Sequence, residues 1–189
     1  MPSTSRDYFE SMYASDPDPW NFATSSYEQR KYALTVAALP KVHFCNVFEP
    51  GCSIGVLTEL FAPMSARLLA TDIIPSALAS AADRLRRFEN VIVERRAIPD
   101  EWPNEEFDLV VLSEIAYYFD APTLGRIVDL AVNSTSPGSH IIAVHWRGET
   151  DYPLTGDVAH AVINENVRLS RVSHHVEEAF VLDLWVRAT

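Results

Sequence analysis

Short apolar runs alternate with amphipathic stretches through most of the chain. "HFCNVF" (43–48), "RLLATD" (67–72), "VIVE" (91–94), "FDLVVL" (107–112) and "HIIAVHW" (140–146) are nearly continuous in apolar residues. That is the pattern of strands covered on both faces. Between them lie helical stripes: Ile54, Leu57, Leu60 and Phe61; Leu78, Ala81, Ala82 and Leu85 behind Pro75; and Leu124, Ile127, Val128 and Ala131. The last steps at i, i+3, i+4, i+7, the period of one helix face. A short helix near 156–165 follows, and "VRLSRVS" with "AFVLDLWV" closes the chain as a hairpin. Ahead of the first strand, Ser25 and Glu28 form a capping box for a helix running to Leu39, where Pro40 stops it. Residues 1–24 are polar and aromatic, with "DPDPW" as a turn-rich knot.

Strands alternating with helices predict an α/β fold: a single-domain, Rossmann-like, mostly parallel seven-stranded sheet with helices on both faces. The final hairpin adds an antiparallel strand. Residues 1–40 read as a cap segment and helix, and 41–189 as the core, with no internal repeat. In such folds the ligand lies beyond the carboxyl ends of the strands, at the switch point. Residues 49–55 stand at such an end.

Composition narrows the partners. The 189 residues are 48% hydrophobic, enough for a proper core, and carry a formal net charge of −11. Such a surface repels phosphate backbones, which argues against a nucleic-acid substrate. The basic cluster Arg84, Arg86, Arg87, Arg95 and Arg96 sits near a helix end and reads as a solvated, dipole-complementing group. Cys45 and Cys52 have no zinc-like spacing, so no metal is expected. No segment resembles a leader or a membrane span, and free thiols fit a reducing compartment, so the expected location is the cytoplasm.

The loop "EPGCSIG" (49–55) invites two catalytic readings. Gly51-Cys52-Ser53-Ile54-Gly55 matches the serine elbow of hydrolases. Yet no glycine precedes it to form an oxyanion loop, and Asp108 is poorly placed to support His145. A dinucleotide fingerprint fails too, because Ser53 and Val56 stand where glycines are required. Glu49 also disfavours a phosphate at the following helix start. The loop suits a ligand with nucleoside hydroxyls and a positive centre but no phosphate. Asp72, closing the second strand, is placed to accept ribose hydroxyls. These features point to S-adenosylmethionine.

"VFEPGCSIGVLTELFA" (47–62), "LLATDI" (68–73), "FDLVVLSEIAYYF" (107–119) and "SPGSHIIAVHW" (136–146) resemble the successive motifs of class I S-adenosylmethionine-dependent methyltransferases. Ser53 departs from the family's usual glycine. The resemblance implies that Gly51, Cys52 and Gly55 pass close to the methionine part, with Glu49 beneath it and Asp72 on the ribose. Ile73 would flank adenine on one side, Ala97 and Ile98 on the other. Ser113 and Glu114 would face the sulfonium and the methyl acceptor. The helix after residue 25 is expected to close over the cofactor, with Trp20 and Tyr27 as walls and Arg30 reaching the carboxylate.

The acceptor side is rich in flat rings and hydrogen-bonding groups: Trp146, Tyr117, Tyr118 and Tyr152 with Glu114, His145, Asp151 and His160. Such a set suits a sugar. "DPDPWNFATSSYEQRKYALTVAALP" (16–40) and "HWRGETDYPLTGDVAH" (145–160), with the elbow, resemble the rhizobial nodulation N-methyltransferases. This implies methyl transfer to the free amine of the non-reducing, deacetylated glucosamine of a chitooligosaccharide, during synthesis of a lipochitooligosaccharide Nod factor. Glu114 or His145 is expected to orient the amine and take its proton, with Tyr117 or Tyr118 in support. Trp146, Asp151, Tyr152 and His160 are expected to contact the sugar. A methyltransferase for another small amine or hydroxyl compound, and a non-catalytic binding module, are the alternatives.

Overall fold

The computed structural model describes all 189 residues. Its helices are α1 (Arg6–Ser15), α2 (Ser26–Ala37), α3 (Val56–Phe61), α4 (Pro75–Leu85), α5 (Ala121–Asn133) and α6 (Gly156–Asn164). Its strands are β1 (Phe44–Pro50), β2 (Ser65–Asp72), β3 (Val91–Arg95), β4 (Phe107–Ser113), β5 (Thr135–Trp146), β6 (Leu169–Val176) and β7 (Phe180–Arg187). They form one seven-stranded sheet in the order β3-β2-β1-β4-β5-β7-β6. β1 with β2, β2 with β3 and β4 with β5 pair in parallel, whereas β7 runs antiparallel to both β5 and β6. The α/β class, the parallel majority and the closing hairpin are those predicted. The chain groups into two compact units, Ser5–Ala97 and Ile98–Thr189 together with Met1–Thr4.

In the first unit, β1 and β2 run in register from Phe44↔Ser65 to Pro50↔Thr71. The side chains between them (Val47, Phe48, Leu68, Leu69) are fully buried. The helix α1 was not predicted, because only Phe9, Met12 and Tyr13 mark an apolar stripe in it. It forms because that stripe has somewhere to go. Tyr13 is buried with Ile54, Ile74 and Ala77, and Phe9, Trp20, Ala23, Val56 and Ile73 pack around them. The Ser25 hydroxyl accepts the Glu28 amide at the start of α2, one half of the expected capping box; the other half is missing, because the Ser25 amide donates to the Asn21 carbonyl and the Glu28 carboxylate pairs with Lys31. α2 stops at Ala37 rather than Leu39, since the residue ahead of a proline is disfavoured in helical geometry. The arginines are spent on acids: Arg84 and Arg87 on Glu59, Arg86 on Asp83, Arg96 on Glu94.

In the second unit, Asp120 caps α5, its Oδ1 accepting the Thr123 amide at 2.9 Å. The Ser3 hydroxyl donates to Asp120 Oδ2 at 2.8 Å, and the Thr4 amide donates to the Tyr118 carbonyl at 2.7 Å. β5 is longer than predicted, starting at Thr135 and running through Pro137 and Gly138. β7 is buried along Phe180–Trp185, while the edge strand β6 is largely exposed. No helix is long and apolar enough to cross a membrane.

Candidate active site

Three left-handed residues within five build the elbow: Gly51 (φ 74°), Ser53 (φ 52°) and Gly55 (φ 79°). Asp72, at the end of β2, clasps it. Its Oδ2 accepts the Ser53 amide and its Oδ1 the Ile74 amide, both at 2.9 Å. Burial raises the Asp72 carboxyl, and those amide bonds offset part of the rise. The Cys52 amide donates to the Thr71 carbonyl at 2.9 Å, stitching the elbow to β2 a second time. Gly55 is required for a different reason from the one expected: a Cβ there would meet Leu85 Cδ1 at 3.0 Å and Ala81 Cβ at 3.2 Å. It lets α4 approach. The Ser53 hydroxyl bonds the Tyr13 hydroxyl, with no histidine beside it, so it has no base to make it a nucleophile.

Two residues ahead of the elbow, Glu49 is 2% exposed and its Oε2 has no hydrogen-bond partner. Burial pushes its carboxyl up to about 7; the nearby Thr58 hydroxyl draws it part of the way back, without forming a hydrogen bond. A buried acceptor left unmatched beside a left-handed backbone turn fits the ammonium of an amino-acid moiety. Burial, then the charges of Asp72 and Glu49, keep the Cys52 thiol protonated and inert. Glu49 gives a testable sign. Its native value lies above its unfolded value, so its contribution to stability is complete below 4.5 and is lost as the pH rises through about 7. That loss amounts to about 3 kcal/mol. Glu49→Gln is therefore expected to melt higher than the unaltered protein at about pH 8, and the gain to vanish at about pH 4.5. An equal gain at both values, by calorimetry, would refute the assignment.

The other cofactor candidates lie in known surroundings. Trp20 stacks on Phe22 (5.6 Å) and meets Tyr13 edge-on (5.6 Å), within the cluster that seats α1. Ile73 packs in that same cluster. Tyr27 lies under the ammonium of Lys31 (5.0 Å), which is itself 1% exposed and paired with Glu28. Arg30 is exposed on α2, and Ala97 and Ile98 are half-buried after β3.

The turn after β4 carries the acceptor candidates. Glu114 is itself left-handed (φ 52°), and its amide donates to the Val144 carbonyl at 2.9 Å. Its Oε2 accepts both the Trp146 amide, at 3.0 Å, and the Tyr117 hydroxyl. Burial, then the Glu114 charge, pushes the Tyr117 hydroxyl up, so it stays a donor. Tyr117 stacks on Tyr152 at 5.2 Å and 28°, while Tyr118 meets both rings edge-on at 4.8 and 4.6 Å. Thus Glu114, Tyr117, Tyr118 and Tyr152 come together as predicted positions of one cluster. Trp146 is 39% exposed next to it, Asp151 is exposed, and Ser113 is half-buried at the strand end.

Two expected roles conflict with this geometry. His145 is fully buried; its Nε2 accepts the Ala116 amide at 2.9 Å and its Nδ1 meets His160 Nε2 at 3.0 Å. An occupied lone pair cannot receive a proton from an amine, so this geometry does not suit His145 for that task. His160 is 4% exposed and holds Asp183 Oδ2 through Nδ1 at 2.7 Å, so both of its nitrogens face inward rather than toward a sugar. Sequence reasoning missed Asp183 and Tyr13. The one signal for Asp183 was a lone acid inside the apolar run "FVLDLWV".

Among known proteins, the chain is 31% identical to nodulation protein S of Bradyrhizobium diazoefficiens over 134 residues, covering 70% of this chain and 64% of that one. It spans between 49% and 64% of the length of the nodulation proteins it matches. A crystal structure of the N-methyltransferase NodS from Bradyrhizobium japonicum WM9, in complex with S-adenosyl-L-homocysteine, shares the fold: TM-score 0.86 at 24% identity, over 97% of this chain and 98% of that one. A candidate methyltransferase from Pseudomonas syringae is 38% identical with TM-score 0.77, over 86% and 100%. The family model of nodulation protein S (NodS) matches residues 2–136, a stretch that takes in the elbow, the Asp72 clasp and the turn bearing Glu114. The chain belongs to that family.

Proposed function

We propose that the chain is an S-adenosylmethionine-dependent N-methyltransferase acting on the free amine of a deacetylated chitooligosaccharide in Nod factor synthesis. The observation that carries this reading is the elbow held to Asp72, beside a buried Glu49 oxygen without a partner. A NodS relative with the same fold was solved with S-adenosylhomocysteine. When bound, S-adenosylmethionine supplies an electrophilic methyl group on a sulfonium. Gly51 and the small Cys52 side chain let the ligand reach the backbone, Asp72 has lone pairs left for ribose hydroxyls, and Glu49 meets the ammonium.

Glu114 accepts an N–H of the acceptor amine and so aims its lone pair, the geometric requirement of a displacement. After transfer the same carboxylate holds the departing proton; no strong base is needed, because oxygens on the ring acidify an aminosugar ammonium. Tyr117 and the Trp146 amide keep Glu114 in place. Tyr152 and the exposed Trp146 offer faces on which the C–H side of a sugar can stack.

The test is transfer of labelled methyl to chitooligosaccharides. Deacetylated oligomers are expected to be labelled, fully acetylated ones and small amines not. Labelling of small amines alone would move the protein to a different acceptor, and no labelling with intact S-adenosylhomocysteine binding would make it a binding module.

A further inference from the structure

Four buried groups in Ile98–Thr189 form a chain whose direction is set at one end. A backbone amide can only donate, so Ala116 N–H requires a lone pair on His145 Nε2. The proton of that neutral ring then sits on Nδ1 and is donated to His160 Nε2 at 3.0 Å. His160 is thereby also neutral with its proton on Nδ1, which it donates to Asp183 Oδ2 at 2.7 Å. His174 closes the far end, its Nδ1 at 2.6 Å from Asp183 Oδ1, with Arg171 Nη1 at 3.7 Å from Oδ2. His145 and Asp183 are fully buried and His160 is 4% exposed. A carboxylate in that position is costly unless something is gained by it.

We propose that His160 and Asp183 are positioning residues, which act through His145 to hold the Ala116 amide and with it the turn that presents Glu114 and Tyr117. Each member comes from a different element: the turn after β4, then β5, α6 and β7. The chain reaches the turn midway between Glu114 and Tyr118. It fixes the backbone there without touching the acceptor. It also explains why a left-handed Glu114 persists: its own amide is held by Val144 and the next turn by His145, so the backbone has no relaxed alternative.

This inference rests on the reading of that turn as the acceptor site, and two measurements separate the two. The first is nitrogen-edited NMR of the histidine rings. His145 and His160 are expected as neutral Nδ1–H tautomers. A His145 bearing its proton on Nε2 would overturn the proposal whether or not the protein methylates anything. The second compares His160 variants. Glutamine keeps the direction, since its carbonyl can accept from His145 and its amide donate to Asp183; leucine keeps only bulk. His160→Leu is expected to lower kcat about a hundredfold with the KM for S-adenosylmethionine unchanged, as for a misplacement of about 1 Å. His160→Gln is expected to recover most of that loss. Equal kcat in the leucine variant and the unaltered protein, or equal losses in both variants, would reduce the chain to ordinary packing. Should His160→Leu not fold, the ring tautomers decide alone. Failure of the unaltered protein to transfer methyl would sink the functional reading and leave the tautomers standing.

Discussion

Asp72→Ala is expected to weaken binding of S-adenosylhomocysteine by at least about a hundredfold, the largest effect of any single substitution in the elbow. The reason is that Asp72 does two jobs with one carboxylate. It accepts the amides of Ser53 and Ile74, and under the proposed function it accepts the ribose hydroxyls as well. Hydrogen bonds to a charged acceptor are worth about 1.5–3 kcal/mol each, so losing the two to the ribose costs about 3 kcal/mol or more, a hundredfold at least. Alanine also strands two donors at a turn where Gly51, Ser53 and Gly55 are already left-handed. Asp72→Asn separates the jobs, because its carbonyl can still serve one amide while the other faces an N–H. The asparagine variant is expected to fall between. Calorimetric titration checks both; affinity within about twofold of the unaltered protein in the alanine variant would take Asp72 out of the site.

Glu114→Gln is expected to leave that affinity unchanged and to lower kcat by about a hundredfold to a thousandfold, within the range of general acid–base contributions. Glutamine preserves the size and can still accept from the Trp146 amide, so the loss isolates the charge. Under the proposed function that charge aims the amine and takes its proton, a task for which His145, committed to Ala116, is not placed. Steady-state rates with cofactor and acceptor varied separately make the test. Equal falls in cofactor affinity and kcat would place Glu114 away from the acceptor.

How far these sites could be read from the residues depended on the range of the interactions. The strands and most helices were visible because their apolar periods are local. The elbow was visible too, since Gly51, Gly55 and Asp72 answer to backbone geometry within some twenty positions. Even so, Gly55 turned out to serve the approach of α4, a tertiary demand that spacing cannot express. The Glu114, Tyr117, Tyr118 and Tyr152 cluster could be guessed from residue type, but not the hydrogen bonds that order it. The histidines were misread for the same reason. His145 and His160 look like exposed chemistry in sequence, and only the buried partner Asp183, 23 residues beyond His160, shows that they are satisfied. Tyr13 and Ser53, 40 positions apart, and the helix α1 itself lay beyond any local rule.

That helix has a consequence for how the protein is made. A ten-residue helix is marginal in water by itself, and α1 draws its burial from Ile54, Ile74 and Ala77. On the ribosome it emerges before any of them. Phe9, Tyr13 and Trp20 therefore stay uncovered until the start of α4 has cleared the exit tunnel, so α1 settles only after the segment from β1 to α4 is out. Chaperone contacts in the nascent chain should concentrate on those three aromatic rings.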